Sequence, residues 1–182
     1  RGFFACWAGC FSGKEQFPLL RKTSQNPAPA GGKDDTMDIL TQASTLLDKK
    51  QLTLVLAREE GIIALSRERG VRPMNRLLDG PVRLTDAVVA DRVVGKAVAL
   101  MFLLAGIREV YAGQISTPAR NVLEAGGVRV VFGEEVPYVL NRDGSGQCPL
   151  EASVLACEDP AEGLSIIRET LEKLQNKPAG GK

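Results

Sequence analysis

The sequence predicts an α/β fold with helices on both faces of one sheet, and three stretches carry that prediction. "REVYAGQIS", "TPARNVLEAGG" and "VRVVF" read as strand, helix and strand in a span that fits a right-handed parallel crossover. "DRVVGKAVALMFLLAG" is apolar on nearly every side and closes at Gly106, the pattern of a helix covered by other layers. "QLTLVLA" and "GIIALS" are β-rich runs separated by a charged break and Gly61, at hairpin distance.

The remaining elements fall around these. "TMDILTQASTLLDKK" sets Leu40, Ala43 and Leu47 on one helical face behind Thr36 as cap. A short helix opens at Pro73, where a missing N–H costs nothing in a first turn, and stops by Gly80. Asp91 is the expected cap of the apolar helix, which then runs through Gly95 and Lys96. Thr117 caps the next helix, with Pro118 at its first position and paired glycines at its end. "PYVL" reads as a further short strand and "PLEASVLA" as a short helix. The last helix, "PAEGLSIIRETLEKL", has Asp159 as cap, Glu162 three residues on, and Leu164, Ile167, Leu171 and Leu174 on one face.

Composition narrows the function. The chain has 182 residues, 44% hydrophobic and 25% charged, enough to bury a core without covalent staples. A net charge of +1 gives no basic field for a phosphate backbone, so nucleic-acid binding is not expected and an acidic ligand would need a local site. The longest apolar run, "AVALMFLLAGI", has 11 residues against the roughly 20 that cross a bilayer, so no membrane role is expected. Cysteines at 6, 10, 148 and 157 do not make a secreted disulfide framework, which points to a reducing cytoplasm. With no histidine, every mechanism that needs an imidazole base or an imidazole metal ligand is excluded. Neither a metal nor a cofactor is expected. Residues 1–35 read as a flexible extension and linker whose apolar start lacks a signal-peptide pattern, 36–176 as the domain, and 177–182 as a disordered tail.

Ligands of open α/β sheets bind beyond the carboxyl ends of strands, where helix N-termini offer unpaired amides. Three junctions meet that condition: Asp91, Thr117–Pro118 and the 141–151 loop. Gly95 and Lys96 stand out within "VVGKAVALMF", because a helix-interior glycine costs about 1 kcal/mol against alanine and a buried lysine needs a partner. A desolvated lysine serves as a base or binds an anion, whereas the plain alternative is a packing glycine beside a lysine that snorkels outward. In "NRDGSGQCPLE", Cys148 stands at a helix start, where the amides lower a thiol pKa and make it a candidate nucleophile. Glu151 in the first turn is expected to reach back to the Cys148 amide, which would oppose the thiolate. Asn141, Arg142 and Asp143 supply hydrogen bonds and charge, although turn chemistry alone also explains this loop.

The blocks "AD-x-VVGKA" and "NRDG-x-G-x-CP-x-E", with "VYAGQIS" between them, resemble the prokaryotic domain-of-unknown-function family 1893, whose fold is similar to cytidine deaminase. The likeness covers about residues 37–175 and implies a three-layer α/β/α sandwich on a mixed sheet. It does not imply deamination. Zinc deaminases carry H-x-E at the start of the long helix and P-C-x-x-C at the start of the next. By element order the first motif falls on Asp91, Arg92 and Val93, and the second puts Ala119 and Val122 where cysteines belong.

The expected function is therefore a metal-free, deaminase-like domain that binds a small anionic or nucleotide-like ligand. Lys96 and Arg142 would supply charge and Asp91 and Asn141 hydrogen bonds, with Gly95, Asp143 and Glu151 in the same site. A thiol-dependent enzyme built on Cys148 with Lys96 or Asp143 nearby is a second reading, and a non-catalytic interaction module such as a homodimer is a third.

Overall fold

The computed structural model describes residues 22–23 and 38–176. Its strands are β1 (Lys22–Thr23), β2 (Leu54–Arg58), β3 (Gly61–Ser66), β4 (Val88–Val94), β5 (Glu109–Ser116) and β6 (Arg129–Val136). They form one sheet in the order β1–β6–β5–β4–β2–β3. The β4–β5 and β5–β6 pairs are parallel, while β2 runs antiparallel to both β3 and β4, and β1 antiparallel to β6, so the sheet is mixed. The helices are α1 (Ile39–Lys49), α2 (Arg72–Asp79), α3 (Lys96–Ala105), α4 (Thr117–Ala125), α5 (Pro149–Ser153) and α6 (Pro160–Asn176).

Alternation along each strand sends side chains to two different cores. On one face Val55, Ala57, Val88 and Ala90 meet Leu40, Ala43 and Leu47 of α1. On the other, Leu54, Leu56, Val89, Val110, Ala112 and Val130 meet α3 and the helices around it. Helix on sheet on helix is the three-layer architecture expected. α3 is the centre of the larger layer: it packs against α2, α4, α5 and α6, and Leu100, Met101 and Phe102 are fully enclosed. Each such side chain contributes about 1.5–3 kcal/mol of burial free energy.

The apolar stretch beginning at Asp91 is not one helix. Its first part is the end of β4, and α3 starts only at Lys96. β4 lies between β2 and β5 with Val88, Val89, Ala90 and Val94 all buried, so its apolar residues show no alternation, and periodicity alone does not separate this run from a buried helix. Asp91 is thus a strand residue rather than a cap. Gly95 is the cap itself, extended at φ −97° and ψ 170°, with its carbonyl accepting from Ala99 N at 3.0 Å. The helix-interior cost assigned to that glycine does not arise.

Smaller differences have local causes. Ser116, not Thr117, caps α4, its hydroxyl accepting from Ala119 N at 3.2 Å. "PYVL" forms no strand of its own and contributes only the isolated Leu140–Gln147 bridge. Leu174 is 44% exposed, because α6 runs past the end of the core that Ile167 enters. Asp159 does cap α6, accepting from Glu162 N at 2.7 Å. The Thr36 cap, Cys6, Cys10, the extension apart from residues 22–23, and the tail lie outside the described residues.

Where β4 ends, Arg92 ties the sheet to α1: its guanidinium donates to Leu52 O at 2.6 Å and Leu47 O at 3.0 Å. The neighbouring strand comes so close that a Cβ on Gly113 would stand 2.8 Å from Arg92 O. Both atoms belong to sheet backbone and cannot swing aside. Gly113→Ala is expected to destabilise the fold by about 1–3 kcal/mol despite alanine's lower unfolded-state entropy, as read from the urea midpoint.

Candidate functional site: a cleft at two helix starts

β4 and β5 deliver the chain into α3 and α4, and both helix starts are tied to one carboxylate. Glu151, 1% exposed, accepts at Oε1 from Lys96 N at 3.0 Å and from Ser116 Oγ at 2.5 Å, and at Oε2 from Val139 N at 2.7 Å. A helix start carries a partial positive charge and unpaired N–H groups, so a carboxylate placed between two of them satisfies both. Gly95 permits this approach, since a Cβ there would lie 3.1 Å from Glu151 Oε1 and from Val139 Cγ2. Glu151 does not cap the Cys148 amide. That amide donates to Val139 O at 2.8 Å, and the carboxylate turns inward to the three stronger demands.

Lys96, the first residue of α3, is 4% exposed. Its Nζ donates to Leu155 O at 2.6 Å and lies 3.9 Å from Glu158 Oε1, whose side chain is 86% exposed. Lys96 forms part of the wall of a cleft of about 640 Å³, together with Thr117, Pro118, Asn121, Val122, Pro137 and Glu158. At the rim, Thr117 Oγ1 donates to Glu135 Oε1 at 2.9 Å and Arg120 donates to Glu135 Oε2 at 3.0 Å.

Of the expected residues Lys96 lines this cleft, with Gly95 and Glu151 behind it against its backbone, and the others lie outside the lining. Asn141, Asp143 and Ser145 spend their polar groups on one another: Asn141 Nδ2 donates to Ser145 Oγ at 3.0 Å, and Ser145 N and Oγ donate to Asp143 Oδ1 at 3.0 and 2.6 Å. The Ser145 hydroxyl and amide hold the Asp143 carboxyl below the usual carboxylate range. Arg142 is exposed at the tip of this turn. Cys148 is a half-buried free thiol that precedes the five-residue α5 and makes no side-chain cap. Asp91, on β4, accepts from Val93 N at 3.0 Å. Although it keeps some solvent exposure, burial of its carboxyl pushes the pKa up to about 7, against the opposing amides of Val93 and Arg92.

Sequence reasoning missed Ser116, Asn121, Glu158 and the Leu155 carbonyl as parts of this neighbourhood. Asn121 had a signal, lying one turn after Thr117 on the same helical face. Glu158 and Leu155 had none, because only the α5–α6 connection brings them to Lys96.

The helix starts do not fit zinc. α3 begins with Gly95, Lys96 and Ala97, not with Asp91, Arg92 and Val93, and α4 carries Ala119 and Val122. Hydrogen, methyl and isopropyl groups have no lone pair to donate, and an ammonium repels a cation. The carboxylate present, Glu151, is already spent on three protein donors. Among the described residues no three His, Cys, Asp or Glu side chains converge as a metal site.

Two outcomes follow from these groups. Glu151→Ala strands three buried donors and is expected to cost about 3–5 kcal/mol, with Glu151→Gln recovering part of it because an amide oxygen still accepts; chemical denaturation of the three proteins checks this. For Asp91 the folded pKa lies above the ordinary 3.8, at about 7, so the folded state retains a proton that the unfolded chain has released across that interval. Its contribution is present at acid pH and is lost as pH rises toward 7 and past it. Asp91→Asn should therefore gain stability over the wild type progressively between pH 4 and pH 8, measured as the difference in urea midpoint.

Comparison with known proteins agrees with the family resemblance. Residues 42–171 match the family model described as "Domain of unknown function (DUF1893)". No curated protein matches the chain. The crystal structure of a DUF1893 family protein from Thermotoga maritima is similar at 29% identity and a TM-score of 0.66, covering 82% of this chain and 99% of that one. A diaminohydroxyphosphoribosylaminopyrimidine deaminase/5-amino-6-(5-phosphoribosylamino)uracil reductase from Thermotoga maritima is 14% identical, covering 58% of this chain and 34% of that one, with a TM-score of 0.38. A dCMP deaminase from the cyanophage S-TIM5 is 15% identical, covering 53% of this chain and 93% of that one, with a TM-score of 0.36. With the family model spanning most of the domain and a solved member aligned over nearly its full length, this chain belongs to the DUF1893 family.

Proposed function

We propose that this domain binds a small molecule bearing an anionic group, held in the cleft at the starts of α3 and α4 with Lys96 as its cationic wall. One observation carries the reading: a buried ammonium that borders a cleft and, among the described residues, has one acceptor at bonding distance, Leu155 O. An ammonium has three donors, and leaving donors of a buried charge unfilled is costly, so an incoming carboxylate or phosphate monoester is favoured by both charge and hydrogen bonding. Glu158 at 3.9 Å is too far to fill that role and too exposed to be held in place. Pro118, Val122 and Pro137 give apolar surface for the body of the ligand, and Asn121 gives an amide to orient it.

Two of the helix-start amides, the usual anion site in such folds, are already engaged, that of Lys96 by Glu151 and that of Ala119 by Ser116 Oγ. Recognition then depends on a side chain. Arg142 and Asn141 lie outside the cleft lining and are not assigned to the ligand.

Thermal-shift measurements with inorganic phosphate, nucleoside monophosphates and small carboxylates test this. A ligand present at about 100 times its Kd should stabilise the wild type by about 2.7 kcal/mol. The ligand-induced shift should vanish in Lys96→Met, judged against that variant's own baseline, and grow in Glu158→Gln, which removes a negative charge from the cleft lining. If no anion in the panel stabilises the wild type more than Lys96→Met, the reading fails.

A further inference from the structure

Among the described residues β3 is an edge of the sheet, and the strand itself carries none of the charges or prolines that usually protect one. Its residues, Gly61–Ser66, pair with β2 and with no other strand among the described residues. Ile62 and Leu65 on this strand are 50% and 52% exposed. Their partners on β2 are Ala57 and Val55, which pack under α1, so both side chains project on the α1 side of the sheet. A register shift between Leu56 and Ala57 is what sets residues three apart on one face. Next to Leu65, a groove of about 190 Å³ runs between α1 and β3, with Leu46 and Leu52 in its wall. The opposite edge of the sheet differs, because β1 lies along β6 there.

Charge identifies the occupant. Glu59 and Glu60 precede the strand, Glu59 lying 3.7 Å from the Arg108 guanidinium so that Glu60 carries the acid at that end, and Arg67 and Arg69 follow it. Glu68, between the two arginines, is engaged by Arg76 at 2.7 Å, which leaves that end basic. A strand acidic at one end and basic at the other complements a copy of itself only in the antiparallel sense, since parallel pairing would set acid on acid and base on base. An antiparallel edge pair is also what a two-fold axis generates. We infer that β3 pairs with β3 of a second copy of this chain across a two-fold axis, joining two sheets into one. In that arrangement each Ile62 packs toward the partner's Leu65 and the groove beside it, and each Glu60 faces the partner's Arg67. The contact is an edge rather than a broad face, so association depends on concentration in the micromolar range or above.

Sedimentation velocity of the full chain under reducing conditions, from about 5 μM to about 500 μM, tests the inference against the size expected of such a contact. The wild type should shift from monomer toward dimer across the series. Ile62→Lys with Leu65→Lys, both at half-exposed positions and with folding confirmed by circular dichroism, should raise the dimer Kd roughly tenfold or more, as lysines do on natural edges. Glu60→Arg alone should weaken the dimer and Glu60→Arg with Arg67→Glu should restore it, a rescue that only the antiparallel register gives. A wild type that stays monomeric throughout, a dimer indifferent to the lysine pair, or a charge reversal that is not rescued by its complement would each overturn the inference.

Discussion

The molecule is organised around a buried carboxylate set between two helix starts. Glu151 accepts from the first amide of α3, from the hydroxyl that caps α4, and from the amide of Val139, so one side chain fixes the two crossover helices and the segment that returns beside them. Three donors converging on one acid at bonding distance offset the cost of taking that charge out of water. Gly95 and Ser116 are then constrained in turn, one by the space the carboxylate occupies and the other by serving as both cap and donor. The same interaction sets the character of the cleft. It engages the first amide of α3, while the Lys96 side chain lines the cleft beside Glu158.

Much of the architecture could be read from the chain because each element carried its own signal. The crossover from β5 through α4 to β6 followed from strand runs bounded by Thr117–Pro118 and paired glycines, and the β2–β3 hairpin from the break at Gly61. Asp159 announced the start of α6 by the spacing to Glu162. Reading failed where two structures share one pattern. A strand whose apolar residues do not alternate and a helix buried on all sides share one pattern, and only the extended backbone of Gly95 divides β4 from α3.

The site was less accessible for a different reason. Lys96 and Gly95 drew attention as residues out of place in an apolar stretch, and burial of the lysine agrees with that anomaly. Glu151 gave the opposite impression, because a glutamate in a first helical turn has an ordinary local use, whereas its real partners lie 55, 35 and 12 residues away in the chain. In the 141–146 loop, by contrast, the local turn chemistry that the sequence suggested is present, with Asn141, Asp143 and Ser145 bonding one another. Residues such as Leu155, acting through a backbone carbonyl, carry no identity that a sequence can display.

Among the described residues the two faces of the sheet are covered unequally, with α1 on one side and the layer centred on α3 on the other. α1 is held by two small apolar clusters and by the Arg92 guanidinium on the carbonyls of Leu47 and Leu52. Its detachment uncovers one face of β2 and β4 but breaks none of the bonds around Glu151. Amide hydrogens of α1 are therefore expected to exchange with solvent sooner than those of α3, whose release needs the larger layer to come apart.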